Sequence, residues 1–151
     1  IRKTINRPGY PWGVLVINLD HFRQLNDQLG HDQADMLLRE VSGVLLRACR
    51  RSEFLARLDG PTFGIVCPQA THEQLVKLGE RLRGVIAPQL IELEGEKPKP
   101  LTASMGVAVL PEDKVAAHEI MPLAESRMEQ ARRGGRDRIV AHDITMPRLV
   151  E

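Results

Sequence analysis

The side chains able to do chemistry in this sequence are carboxylates, carboxamides and arginines rather than nucleophiles. Cys49 and Cys67 sit inside apolar runs, where free cysteines are commonly buried, and their spacing fits neither a disulfide framework nor a zinc site. His21, His31, His72, His118 and His142 are scattered, and no serine or cysteine stands in a pattern that would pair a nucleophile with a base. What remains is the run NLDHFRQLNDQLGHDQAD from Asn18 to Asp35, the turn Asp59-Gly60-Pro61, and arginines at Arg50, Arg81, Arg132 and Arg136. Aspartate is a hard oxygen ligand for Mg²⁺ and an acceptor for N–H edges; asparagine both donates and accepts. Arginine forks suit phosphates and stack on bases.

The elements that must position these groups follow from periodicity. Gly13 to Leu19 is a β-branched apolar run that reads as a buried strand. His21 to Leu29 is a short amphipathic segment closed by Gly30, a C-cap candidate. Gln33 to Arg50 has helical spacing through Leu37, Val41, Val44, Leu45 and Ala48. Glu53 to Leu58 and Thr62 to Pro68 read as a hairpin around Asp59-Gly60-Pro61. Thr71 and Gln74 form a capping box that starts a helix to Ile86. The segment from Pro88 to Pro100 reads as a loop, Leu101 to Leu110 as a strand, Leu123 to Arg133 as a helix with Pro122 in its first turn, and Arg138 to Ala141 as a last strand. This order predicts an α+β sandwich, helices over a mostly antiparallel sheet.

With 151 residues the chain suits one domain, expected over residues 11–141 with a tail or linker over 142–151. A net charge of +1 gives no bulk attraction to nucleic acid or membrane, and 3% aromatics leave little for base stacking. No apolar run reaches the ~18 residues of a membrane span, so a cytoplasmic location is expected. A start at Ile1 rather than Met suggests a piece of a longer protein.

The run Asn18–Asp35 resembles the segment D-L-D-x-F-K-x-x-N-D-x-x-G-H-x-x-G-D of the GGDEF (diguanylate cyclase) domain family. Further matches follow in order: RLDGPTF at Arg57–Phe63 in the place of R-x-G-G-D-E-F, ERLR at Glu80–Arg83, TASMGV at Thr102–Val107, and Ala124–Arg136 with Gly135 and Arg136 intact. The resemblance covers about Pro11 to Ile139, and the family's opening D-x-L-T-G-L-x-N-R is not recognised. It implies a five-stranded central sheet flanked by helices, related to nucleotidyl cyclases and polymerase palms. In active members two GTP-loaded domains face each other, and each 3′-hydroxyl attacks the other's α-phosphate to give cyclic di-GMP.

The resemblance also implies that the site is degenerate. The family's metal ligands, the first Asp of D-x-D and the third letter of GGDEF, fall on Asn18 and Pro61, and the essential Glu falls on Thr62. Asp59 replaces the first glycine, placing a negative charge toward phosphates, while Gly60 keeps the second. No catalytic residue and no Mg²⁺ site is therefore expected. A substitute site from Asp20 and Asp59 competes with the plainer reading of exposed strand-end and hairpin aspartates. The guanine-binding positions map to Asn26 and Asp35, which could instead cap helix ends. The phosphate-binding positions map to Arg132 and Arg136, which a helix C-terminus also favours. The family's product-inhibition motif R-x-x-D falls on Arg50 and Glu53, with Arg81 as a second arginine; solvated surface arginines are the alternative.

Three functions fit: a silent regulatory module acting on an attached or partner signalling domain, a cyclic di-GMP receptor through Arg50, Glu53 and Arg81, or a GTP sensor without turnover. A homodimer is compatible with each, and nucleic acid is not expected as a partner.

Overall fold

A computed structural model of the chain describes residues 10–143. The elements in chain order are β1 (Trp12–Leu19), α1 (Phe22–Leu29), α2 (His31–Ala48), β2 (Phe54–Asp59), β3 (Thr62–Pro68), α3 (His72–Ile86), β4 (Leu90–Ile91), β5 (Lys99–Pro100), β6 (Ala103–Leu110), a 3₁₀ turn at Ala117–Glu119, α4 (Ile120–Arg133) and β7 (Arg138–Val140). The main sheet has five strands in the order β2-β3-β1-β6-β7. Its pairs are antiparallel except β6–β7, which is parallel. The expected α+β sheet with flanking helices is present.

Central position explains the composition of β1. With neighbours on both edges and helices on both faces, it is a nearly continuous apolar run. Leu15, Ile17 and Leu19 face one core with α1, α2 and α3 residues such as Leu25, Val41, Leu45, Leu78 and Leu82. Val14 and Val16 face a smaller core with Ala108 and the α4 residues Ile120, Ala124 and Met128. Gly106 is needed where α4 crosses β6, because a Cβ there would strike the backbone of Ala124 and Met128. The sheet ends at β2, where Phe54 and Leu58 remain exposed.

Local signals behave as their chemistry dictates. Thr71 and Gln74 make both halves of the capping box on α3. Gly30 closes α1 at a φ of 83°, its N–H donating to the Asn26 carbonyl. α2 starts at His31 and stops at Ala48, two residues ahead of the expected bounds at each end. The segment expected as a loop between Pro88 and Pro100 contains a small ribbon instead, Leu90 opposite Pro100 and Ile91 opposite Lys99. Two-residue strands carry no period for a sequence pattern to reveal, and Pro100 is tolerated because the ribbon has only edges. Of the tail expected over 142–151, residues 144–151 lie outside the described residues. His142 and Asp143 are docked: the His142 ring lies 4.6 Å from that of His72, and Asp143 pairs with Arg127 at 3.1 Å.

Candidate functional site

The end of β1, the β2–β3 turn, the start of α1 and the end of α4 converge on a cleft of about 470 Å³. The turn is tight because Asp59 pairs directly with Thr62, leaving Gly60 and Pro61 as its two central residues. Gly60 takes a φ of 50°, and proline holds φ near about −65°, the combination a hairpin turn needs when glycine comes first. Arg57 braces the turn by donating to the Gly60 carbonyl at 2.9 Å, and Leu19 N–H donates to the Pro61 carbonyl at 3.0 Å.

Asn18 and Thr62 face each other across the β1–β3 register, and Asn18 Nδ2 donates to Thr62 Oγ1 at 2.9 Å. Asn18 and Pro61 line the cleft, so two of the positions expected to hold metal in the family present a neutral amide and a ring. Among the described residues no group of three or more His, Cys, Asp or Glu is arranged to hold a metal. This donor set does not fit Mg²⁺, which wants charged oxygens in an octahedron.

Asp20 requires a correction. The sequence set a plain exposed strand-end aspartate against a substitute cation site with Asp59, and Asp20 is neither. The residue is only 1% exposed. Its carboxylate accepts from Thr102 Oγ1 at 2.7 Å, Ser104 Oγ at 2.7 Å and the Asp137 N–H at 3.0 Å. It ties the end of β1 to the start of β6 and the approach to β7. A carboxylate buried and turned onto three donors in this way does not line the cleft, and Asp59 is left exposed on the hairpin without it.

The basic side of the cleft is formed by Arg23, Arg132 and Arg136. Arg132 pairs with Glu129 at 3.1 Å, both ends partly in solvent. Arg136 follows the Gly134-Gly135 turn at a φ of 65°, with its N–H donating to the Ala131 carbonyl. Arg23 was not singled out from the sequence, although it occupies the place of the Lys in D-x-F-K. Asn26, within α1, and Asp35, in the second turn of α2, do not line this cleft. Neither caps a helix: α1 is capped by His21 and α2 by Gly30, neither end with a side-chain cap bond.

A second cleft, of about 250 Å³, opens where α2 runs into β2 beside α3. Arg50, Glu53 and Arg81 all line it. Glu53 Oε1 accepts from the Arg50 N–H at 2.7 Å and lies 3.6 Å from Arg81 Nη2. Arg81 is anchored by donating to the Ala48 carbonyl at 3.0 Å. Cys67 borders the same cleft; burial, then the charges of Glu53 and Cys49, push its thiol up to about 12 against the pull of Arg81, so it is no nucleophile at neutral pH.

The far end of the sheet holds a polar cluster that sequence reading missed, its histidines having been read as scattered. The His72 ring nitrogens lie 2.7 Å from Glu112 and 2.8 Å from Asp113, and Asp113 also pairs with buried Arg127 at 2.9 Å. Its members lie up to 55 residues apart, from His72 to Arg127, so no local motif announces them.

The sequence model of the diguanylate cyclase GGDEF domain matches residues 1–138 of the chain. Diguanylate cyclase DgcP of Pseudomonas aeruginosa is 33% identical over 134 residues, covering 89% of this chain and 20% of that protein. The probable diguanylate cyclase DgcT of Escherichia coli is 29% identical over 139 residues, covering 89% of this chain and 30% of that one. The GGDEF domain of DgcB from Caulobacter crescentus, crystallised with c-di-GMP, superposes with a TM-score of 0.78 at 25% identity, over 93% of this chain and 81% of that one. The chain therefore spans less than a third of the length of either curated relative.

Proposed function

Because the chain belongs to the diguanylate cyclase GGDEF domain family, we propose that it is a member without turnover, a regulatory module of cyclic di-GMP signalling acting on an attached or partner domain. The observation that carries this is the pairing of Asn18 with Thr62 beside Pro61, at the three positions where the family's chemistry calls for carboxylates. Two-metal phosphoryl transfer needs charged oxygens to hold the ions and to activate the hydroxyl. A carboxamide, a hydroxyl and a proline ring supply neither. Asp20, buried and turned onto three donors, does not line the cleft to replace them. The reading includes loss of the Mg²⁺ site, a cytoplasmic setting and one domain over about residues 11–141. No helix among the described residues is long and apolar enough to cross a membrane. The test is product formation from GTP with Mg²⁺ or Mn²⁺, quantified by chromatography.

A second reading is favoured by the smaller cleft. Arg50, Glu53 and Arg81 lie together there, two guanidinium groups and a carboxylate around one concavity. That set suits a dianion carrying guanine edges: arginines bond phosphate or O6 and N7, and the carboxylate accepts from N1–H and N2–H₂. The module would then sense cyclic di-GMP without making it. Calorimetry with cyclic di-GMP on the wild-type chain and on Arg50→Ala separates the two readings.

A further inference from the structure

We propose that the outer face of α2 pairs with the same face of a second copy of this chain, the two helices running antiparallel about Gly43. The inference does not depend on whether the chain turns over GTP.

The inner face of α2 is accounted for, with Ala34, Leu38, Val41 and Leu45 buried in the core. The outer face has no partner within the chain. Met36, Arg39, Glu40, Leu46 and Arg47 stand exposed there, three, four or seven residues from Gly43. Met36 is 61% exposed and Leu46 63%. One exposed leucine is ordinary, but here the apolar surface continues sideways. Leu29 at the end of α1 and Leu90 on the β4–β5 ribbon meet Met36 around a concavity of about 420 Å³. Of the six large apolar side chains exposed among the described residues, four therefore lie on or beside this face. The concavity is preformed, because Gln28 holds the ribbon in place. Its carboxamide donates to the Glu92 carbonyl at 3.3 Å and accepts from the Glu94 N–H at 3.1 Å.

Charge identifies what covers the face. His31 to Glu40 carry three carboxylates and one arginine, whereas Val41 to Arg51 carry three arginines and no carboxylate. The concavity has the sign of the first half, lined by Glu40 and Glu92 and by no Lys or Arg. This polarity suits the dipole of α2 itself. It also makes an antiparallel second copy complementary, the acidic half of each helix lying on the basic half of the other. At about 100° per residue, Glu40 and Arg47 fall on one side of the line through Gly43, and Arg39 and Leu46 on the other. A two-fold axis brings like sides together. Glu40 then meets the partner's Arg47, and the contact occurs twice. On the other side the Arg39 stem lies along the partner's Leu46. Gly43 lets the helix axes approach closely, and the Arg47 guanidinium lies across it, 3.2 Å from where a Cβ would stand. Arg39, Glu40 and Arg47 have no ion-pair partner among the described residues, so all three are free for the second copy. The larger cleft has no lining residue from α2. This pairing is therefore distinct from the facing of two loaded domains that the resemblance implies for active members.

Sedimentation equilibrium of the chain over a concentration series, without nucleotide, tests the proposal. A reversible dimer is expected. Glu40→Arg and Arg47→Glu each set like charges opposite one another at two symmetric places, and each should weaken the dimer roughly tenfold. The double variant Glu40→Arg, Arg47→Glu keeps the net charge and should restore the wild-type affinity. Glu125→Arg, exposed on α4, should change nothing. A monomer at every concentration overturns the inference and leaves the face to a partner of another sequence. A dimer indifferent to both single substitutions, weakened equally by Glu125→Arg, or not rescued in the double variant also overturns it.

Discussion

Asn18 Nδ2 donates to Thr62 Oγ1 at 2.9 Å across the register pair that joins β1 to β3. One hydrogen bond joins two neutral side chains at positions where the family's pattern has charged ones. Returning the charges should return cation binding. The triple variant Asn18→Asp, Pro61→Asp, Thr62→Glu is expected to bind Mn²⁺ in calorimetry where the wild type gives no saturable heat. Equal behaviour of the two proteins would locate the metal defect elsewhere.

Asp20 is a fold residue. Three donors converge on its buried carboxylate. Asp20→Ala leaves the buried Ser104 hydroxyl and the part-buried Thr102 hydroxyl and Asp137 N–H without their acceptor, at about 1–3 kcal/mol for the fully buried group and less for the two that water can reach. Urea unfolding should show a loss of about 2 kcal/mol or more. A loss under about 1 kcal/mol would mean that water replaces the carboxylate.

The folding pattern was legible wherever sequence carries a period or a cap: β1 as an apolar run, the Thr71–Gln74 box, the Asp59-Gly60-Pro61 turn. What was not legible depends on long-range partners. Asp20 looks like an exposed strand end until Thr102 and Ser104, more than 80 residues later, are brought against it. His72 looks solitary until the β6–α4 loop delivers Glu112 and Asp113 to its two ring nitrogens. Arg23 stands in the motif at the place of the Lys in D-x-F-K, and only the packing of α1 against the end of α4 shows that it shares a cleft with Arg132 and Arg136. Arg50 and Glu53 are three residues apart where α2 gives way to β2, the family resemblance adds Arg81, and the structure brings all three to one cleft.

Stability in acid should depend on Asp113. Burial alone would raise its carboxyl, but the Arg127 guanidinium, the Val109 N–H and His72 outweigh this and hold it below the ordinary value. A carboxyl lowered in the fold contributes stability that is fully present above its unfolded value, about 3.9, and is lost as pH falls through the folded one. Asp113→Asn should therefore be less stable than wild type at pH near 7, with the difference shrinking below about pH 4. Denaturant midpoints across that range measure it; parallel curves for the two proteins would contradict the assignment.

If the smaller cleft binds cyclic di-GMP, Arg50→Ala should abolish the binding and Arg81→Ala should weaken it roughly tenfold or more. Glu53 is one methylene longer than the aspartate expected in the motif, so it loses more rotamer freedom on binding. Glu53→Asp should accordingly strengthen binding. Calorimetry in which none of the three substitutions alters affinity would leave these residues as solvated surface.

Product formation tests the central claim most directly. The chain is incubated with GTP and Mg²⁺ or Mn²⁺, and cyclic di-GMP is quantified against a heat-inactivated control. With Asn18, Pro61 and Thr62 at the positions of the missing carboxylates, no product above the control is expected at any protein concentration. Cyclic di-GMP that accumulates with time and protein concentration, and disappears in EDTA, would show a working metal site and contradict the account.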